Sequence, residues 1–272
     1  MEIVYCVFQG IIQGLTEFLP VSSSGHLALF EQALGVSPRL YLTTALHLGT
    51  LSVVVFHYRR DIGRMTAEVF FTPRRLHQGT GLGELLETRP DLYLAVCVLI
   101  ACLPTAVVGL GISRLWEAMA GSLVVVSVFL LLTAGILWAT RYVRNRSLRP
   151  LDFRLALLIG AAQGAAAAPG VSRSGATIAV ALLLGVARPD AARFSFLISI
   201  PAILGAGMLE IHSLATLSGA QLPAVAAGTV TAAVVGYGAL RILLRWVDKG
   251  RLHLFAPYLL ILGILGLVLS CS

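Results

Sequence analysis

The sequence predicts an all-α polytopic membrane protein: one integral domain of two repeats in inverted topology, each a re-entrant helix hairpin plus three transmembrane helices. Three observations predict it. The 272 residues are 57% hydrophobic and 12% charged, with mean hydropathy +0.88, whereas soluble domains carry about 25% charge. Six apolar stretches, approximately 42–58, 91–112, 122–140, 190–211, 222–241 and 252–270, reach or approach the length that crosses roughly 30 Å of hydrocarbon. Finally, the stretch GIIQGLTEFLPVSSSGH over 10–26 has a relative, GAAQGAAAAPGVSRSGA, over 160–176. Repeat one covers about 1–140 and repeat two about 152–272.

The related stretches lie in regions of about 3–34 and 153–187. Each region is two apolar arms too short to cross alone. Pro20 with Ser22 to Gly25 interrupts the first; Pro169-Gly170 with Ser172 to Gly175 interrupts the second. Such a break frees backbone groups and is tolerated at membrane depth only inside protein or beside water. A re-entrant hairpin satisfies that condition; two full spans joined by a polar surface loop are the competing reading. Three spans follow each region, with Pro104 and Pro201 as expected kinks inside them. The segment 59–89 reads as the longest loop, polar and mixed in charge.

Basic residues set the expected orientation. Arg59, Arg60, Arg64, Arg74 and Arg75 follow the first span. Arg141, Arg144, Arg146 and Arg149 follow the third, and Arg241, Arg245, Lys249 and Arg251 the fifth. The connections near 113–121 and 212–221 are almost free of Lys and Arg, apart from Arg114. With the clusters in the cytoplasm, both termini fall outside, the first hairpin enters from outside and the second from inside. That is an inverted repeat, a plan common where a site sits near the bilayer midplane. These clusters account for most of the net charge of +7, and no basic–aromatic pattern favours nucleic acid. The N-terminus begins Met-Glu without a basic n-region, so no cleaved signal peptide is expected. Cys6, Cys97, Cys102 and Cys271 lack metal-ligand spacing and read as small hydrophobes.

Overlaying the two stretches places Gly10 on Gly160, Gln13 on Gln163, Gly14 on Gly164, Ser22 on Ser172, Ser24 on Ser174 and Gly25 on Gly175. The differences carry the chemistry. Glu17, Ser23 and His26 of the first copy face Ala167, Arg173 and Ala176 of the second. An ionisable group in a membrane segment is expensive and a functional candidate by default. Glu17 shares a helix face with Gln13; its bland reading is a structural pair with Arg173. With Ser23 and His26 it supplies an acid, a hydroxyl and an imidazole, the parts that activate a nucleophile; singly, the serines read as helix caps and His26 as a core histidine. The second break suits an anion: a helix start offers free N–H groups, Ser172, Ser174 and Thr177 offer hydroxyls, and Arg173 offers a planar fork. His47, His57, His77, His212 and His253, with Glu210 and Arg193, lie near segment ends and read as bland; Glu31 has no assigned role.

Gln13-Gly-Leu-Thr-Glu17, Ser22-Ser-Ser-Gly-His26 and Pro169-Gly-Val-Ser-Arg-Ser-Gly-Ala-Thr177 resemble the motifs of the undecaprenyl-diphosphate phosphatase family, the bacitracin-resistance proteins. Length and apolar layout agree along the whole chain. The resemblance implies hydrolysis of undecaprenyl diphosphate to the monophosphate and inorganic phosphate at the outer face of the cytoplasmic membrane, recycling the lipid carrier of cell-wall synthesis. It implies a divalent cation, Mg2+ or Ca2+, with Glu17 and Gln13 as metal residues. Gln13 is a permitted variant that removes one carboxylate from that site. Ser23, Glu17, His26 and Arg173 are the expected catalytic residues, with Ser23 the first choice of nucleophile and His26 the alternative. Ser22, Ser172, Arg173, Ser174, Gly175 and Thr177 would bind substrate. Expected partners are the polyprenyl diphosphate and membrane lipids, with a homodimer left open. The competing classes are a polyprenyl-phosphate transporter or flippase without hydrolysis, which does not need the Glu17, Ser23 and His26 set, and a channel, which does not need the serine-rich cradle.

Overall fold

The computed structural model describes residues 2–119, 122–143, 149–215 and 217–271; Arg144 and Arg146 of the second basic cluster lie outside them, as do both chain ends. Thirteen α-helices form among the described residues. They are α1 (Glu2–Phe18), α2 (Ser23–Leu34), α3 (Leu40–His57), α4 (Arg59–His77), α5 (Leu82–Thr88), α6 (Pro90–Met119) and α7 (Leu123–Ala139), then α8 (Phe153–Ala165), α9 (Arg173–Leu183), α10 (Arg188–Leu209), α11 (Ile211–Ala215), α12 (Leu222–Asp248) and α13 (Ala256–Cys271). No strand forms among these residues; Arg149 and Val186 make one isolated bridge.

Six segments are long and apolar enough to cross a membrane: Leu40–His57, Pro90–Ile112, Leu123–Tyr142, Arg188–Leu209, Leu222–Asp248 and Leu252–Ser270. These match the six apolar stretches of the sequence within a few residues at most ends. The chain is a multi-pass membrane protein. Pro104 and Pro201 lie inside α6 and α10. One expectation is corrected. The segment 59–89 is not a loop but two helices, α4 and α5. Hydropathy alone discards a polar helix, whereas α4 is amphipathic: Ile62 and Met65 pack on the core, and its charged face is held by Arg64 and Asp61, 3.0 Å apart one turn away.

The four arms that flank the breaks are short: α1 has 17 residues, α2 12, α8 13 and α9 11. The arms α1 and α8 each pack along a helix from the opposite half of the chain, α1 on α12 and α8 on α6. Paired glycines make these contacts. A Cβ on Gly10 would stand 2.3 Å from the Gly228 carbonyl oxygen, and one on Gly14 2.7 Å from that of Ala232. In α8, a Cβ on Gly160 would stand 2.2 Å from the Ala101 oxygen and one on Gly164 2.9 Å from that of Thr105. In both arms Gly-x3-Gly lets backbones touch, the usual means of helix association without a hydrophobic drive. The duplicated glycines are therefore packing residues.

Candidate active site

The breaks between α1 and α2 and between α8 and α9 lie against each other. The Gly170 N–H donates to Ser24 Oγ at 3.4 Å, and Ser174 Oγ–H donates to the Phe18 carbonyl at 2.9 Å. Each following helix is capped by the first serine of its motif. Ser22 Oγ accepts from Gly25 N–H at 3.3 Å and Ser172 Oγ from Gly175 N–H at 3.1 Å. α7 backs both: a Cβ on Gly25 or Gly170 would meet Val126.

Glu17, at the end of α1, is buried. Arg173, the first residue of α9, forms an ion pair with its Oε1. The Oε2 atom accepts from Ser23 Oγ–H at 2.7 Å and from Gln13 Nε2 at 2.9 Å. A buried carboxylate without such partners would be strongly unfavourable. The pairing with Arg173 weighed as the bland reading of Glu17 therefore does form, and it joins the two copies of the motif at one point. Ser23 and Arg173 occupy equivalent places in the overlay and both converge on Glu17. Ala167, the counterpart of Glu17, is exposed.

His26 takes a different direction from Ser23 and Glu17. Its Nδ1 lies 2.8 Å from the Ser22 carbonyl, which only accepts, so Nδ1 carries the proton. Nε2 then accepts from the Tyr258 hydroxyl at 2.6 Å. Tyr258, on α13 and exposed, stacks on the imidazole at 5.7 Å between centroids. No local signal marked it, because it lies 232 residues from His26. His47, read as bland, also stands at the site: its Nε2 is 3.7 Å from Glu17 Oε2.

Of the other hydroxyls, Ser22, Ser172, Ser174 and Thr177 are buried. Thr177 donates to the Arg173 carbonyl at 2.8 Å and meets Ser195 Oγ at 2.5 Å. Gly175 packs on Pro20: a Cβ there would lie 3.1 Å from Pro20 Cβ. Ser23 and Arg173 are partly open, and Ser24 is exposed. Two further charged residues read as bland are tied into the packing: Arg193 donates to Asp61 at 2.5 Å, and Glu210 accepts from Thr44 at 2.7 Å. Glu31 is buried and accepts from Gln9 at 3.0 Å.

Two broken arms carrying an acid, a hydroxyl and a guanidinium in contact, inside a six-span helical protein, define a membrane protein with a polar site where its two breaks meet. The chain belongs to the bacitracin resistance protein BacA family, whose sequence profile it matches over residues 6–265. It is 43% identical over 274 residues to the undecaprenyl-diphosphatase of Desulfosudis oleivorans, covering 97% of each chain. It is 40% identical to that of Desulforapulum autotrophicum, covering 98% of each. It is 43% identical to that of Rubrobacter xylanophilus, covering 95% of this chain and 94% of the relative.

Proposed function

We propose that this protein is an undecaprenyl-diphosphatase, releasing inorganic phosphate and the polyprenyl monophosphate. The observation that carries the reading is the Ser23–Glu17–Arg173 contact. It sets a hydroxyl against a carboxylate base and beside a guanidinium matched to phosphate oxygens. The diphosphate enters where Ser23, Ser24 and Arg173 are open, and the prenyl tail stays in lipid. Arg173 exchanges Glu17 for the substrate's phosphate oxygens and stabilises charge on the transferring group, where positioning and electrostatics dominate. Oε1 of Glu17, freed from Arg173, takes the Ser23 proton as Oγ attacks the terminal phosphorus, while Oε2 remains available to the cation. The Oγ–P bond forms, the bond to the bridging oxygen breaks, and the monophosphate leaves. Water then cleaves the phosphoseryl bond: His26, one turn along α2 from Ser23, accepts a water proton, and Glu17 returns its own to Oγ. The direct hydrogen bond from Ser23 Oγ–H to Glu17 supports the serine over His26 as nucleophile, because it sets a base on Oγ, whereas His26 exchanges its Tyr258 partner for the attacking water. Ser22, Ser172, Ser174, Gly175 and Thr177 shape the cradle from within, presenting the backbone of the α9 N-terminus.

A divalent cation, Mg2+ or Ca2+, belongs to this reading. Gln13 Oε1 is buried and has no hydrogen-bond partner, an amide oxygen one turn from a carboxylate, and hard cations prefer such oxygen donors. Among the described residues no group of three His, Cys, Asp or Glu gathers to hold a metal. The donors present therefore fit a cation shared with substrate phosphates, held by Glu17 and Gln13. When bound, it would offset the charge of the diphosphate and of the departing phosphate.

The two halves form an inverted repeat, each with a re-entrant hairpin and three spans, and the site opens outward so that the lipid carrier of cell-wall synthesis is recycled at the outer face. Supporting this are the crosswise packing of α1 on α12 and α8 on α6, the four short arms, and the basic clusters that follow the first, third and fifth spans in the sequence. The names of the relatives favour hydrolysis over a flippase. The test is phosphate release from a C55 or C15 prenyl diphosphate by purified protein in detergent, with and without EDTA, for wild type, Ser23→Ala and Arg173→Ala. Metal-dependent release that collapses in both variants is expected. No release from folded, metal-supplied wild type would overturn the proposal. Phosphohistidine trapped from labelled substrate, with none on serine, would reassign the nucleophile to His26.

A further inference from the structure

His47 lies on α3, outside both copies of the motif, yet its ring is aimed at the centre of the site. Nδ1 is 2.9 Å from the Thr43 carbonyl. A carbonyl only accepts, so Nδ1 carries a proton and donates it there. In the neutral ring Nε2 is then left with a lone pair. That lone pair faces Glu17 Oε2 at 3.7 Å, another acceptor. Two acceptors do not face each other stably unless something positive lies between them. The His47 side chain is 34% exposed, so an ion can reach it. The arrangement also has the form usual for metal-binding histidines, in which the second ring nitrogen donates to a backbone carbonyl and fixes the tautomer. Two metal–ligand bonds of about 2.1 Å meeting near 120° span about 3.6 Å, which matches the gap. Gln13 donates Nε2 to the same oxygen at 2.9 Å. Turning its amide over would present the unpartnered Oε1 to the same point, since the two ends of an amide are alike in shape.

We propose that His47 Nε2 is a ligand of the site's divalent cation, which lies between it and Glu17 Oε2 with Gln13 Oε1 alongside. The proposal rests on the cation requirement in the proposed function and deepens it. A ligand set of one carboxylate, one amide oxygen and one imidazole is no longer all oxygen. Imidazole suits first-row transition metals such as Zn2+ and Ni2+, Mn2+ accepts oxygen and lies lowest in affinity among them, and Ca2+ takes oxygen ligands. The imidazole therefore raises the affinity for a transition-metal probe relative to Ca2+, while Mg2+ or Ca2+ remains the cation of the proposed reaction. Arg173 already neutralises Glu17, so the positive charge of the cation is balanced only when a diphosphate arrives, and metal and phosphate bind together.

The test is Mn2+ binding to the full chain in detergent, alone and with methylenediphosphonate, read by pulsed electron paramagnetic resonance for nitrogen coupled directly to the ion. Wild type is expected to show a directly coordinated 14N that strengthens with the diphosphonate. His47→Gln, which replaces the imidazole by an amide, is expected to lose it and to raise the Kd for Mn2+ by at least about ten-fold, the scale on which even outer-shell partners act. Its Kd for Ca2+ should move by less than about three-fold, since no oxygen ligand is removed. His57→Gln, at the far end of α3, should keep the nitrogen signal. Bound Mn2+ with no coupled nitrogen in wild type, or with coupling intact in His47→Gln, would overturn the proposal and leave the cation requirement standing, with a proton in the gap instead. Absence of Mn2+ binding, together with full activity in EDTA, would overturn both.

Discussion

At the first break Ser22 holds φ 68° and ψ 100°; at the second, Ser172 holds an ordinary φ of −82° and the left-handed residue is Gly170, at φ 94°. Glycine takes that conformation without steric cost. In the overlay Gly170 aligns with Pro20, whose ring fixes φ near −65°. The first break cannot place its positive φ there, and it falls two residues later on a serine, where it costs of order 1–3 kcal/mol. Ser22 is the only non-glycine residue with positive φ among those described. It directly precedes Ser23. The copy that carries Ser23, the proposed nucleophile, is the strained one. The copy that carries Arg173 is relaxed, its left-handed residue being a glycine.

The largest effects should break the chemical asymmetry. Ser23→Ala should lower kcat by on the order of 10^3-fold or more, as loss of an activated nucleophile does. Arg173→Lys, which keeps charge but loses the planar fork, should cost on the order of 10^2-fold. Phosphate release would measure both, and a Lys variant equal to wild type would mean that only net charge matters. Next comes backbone geometry. Gly170→Ala should destabilise by about 3 kcal/mol, combining the left-handed penalty with overpacking, because its Cβ would stand 2.4 Å from the Val126 oxygen. Thermal unfolding in detergent tests this, and an unchanged Tm would count against the assignment. Gly10→Ala and Gly160→Ala should each cost about 1–3 kcal/mol by the same assay. The two should be nearly equal, since their close approaches are 2.3 and 2.2 Å; a large inequality would mean that the two arms are not packed alike. The smallest effect is the sharpest comparison. Ser22→Gly should raise stability by up to about 1 kcal/mol, because relief of the positive φ outweighs the few tenths lost from the cap. Ser172→Gly, with no strain to relieve, should lower it slightly. Equal signs would show that the two breaks do not differ in strain.

The spans were legible because the bilayer imposes a length and a polarity on each of them independently of the neighbours, and hydropathy reads both. The breaks were legible for a similar local reason: Pro20, Pro169 and the Ser-Gly runs cannot continue an apolar helix. The motif residues stood out as polar groups in apolar arms, and comparing the copies separated Glu17, Ser23 and His26 from Arg173. The helices of 59–88 were missed because their pattern is amphipathic rather than apolar. What only the tertiary structure decided is which groups meet. Glu17 and Arg173 are 156 residues apart, and the sequence offered their pairing only as one option. Tyr258 reaches His26 from the last helix, and His47 reaches Glu17 from the third; neither belongs to a motif. Gly10, Gly14, Gly160 and Gly164 were visible as repeats, but their task depends on carbonyls of α6 and α12. The physical reason is common to all of these. A helix presents a face according to its own residues, whereas the partner of that face is set by how close two backbones can come, and in lipid that closeness depends on small residues on both helices at once.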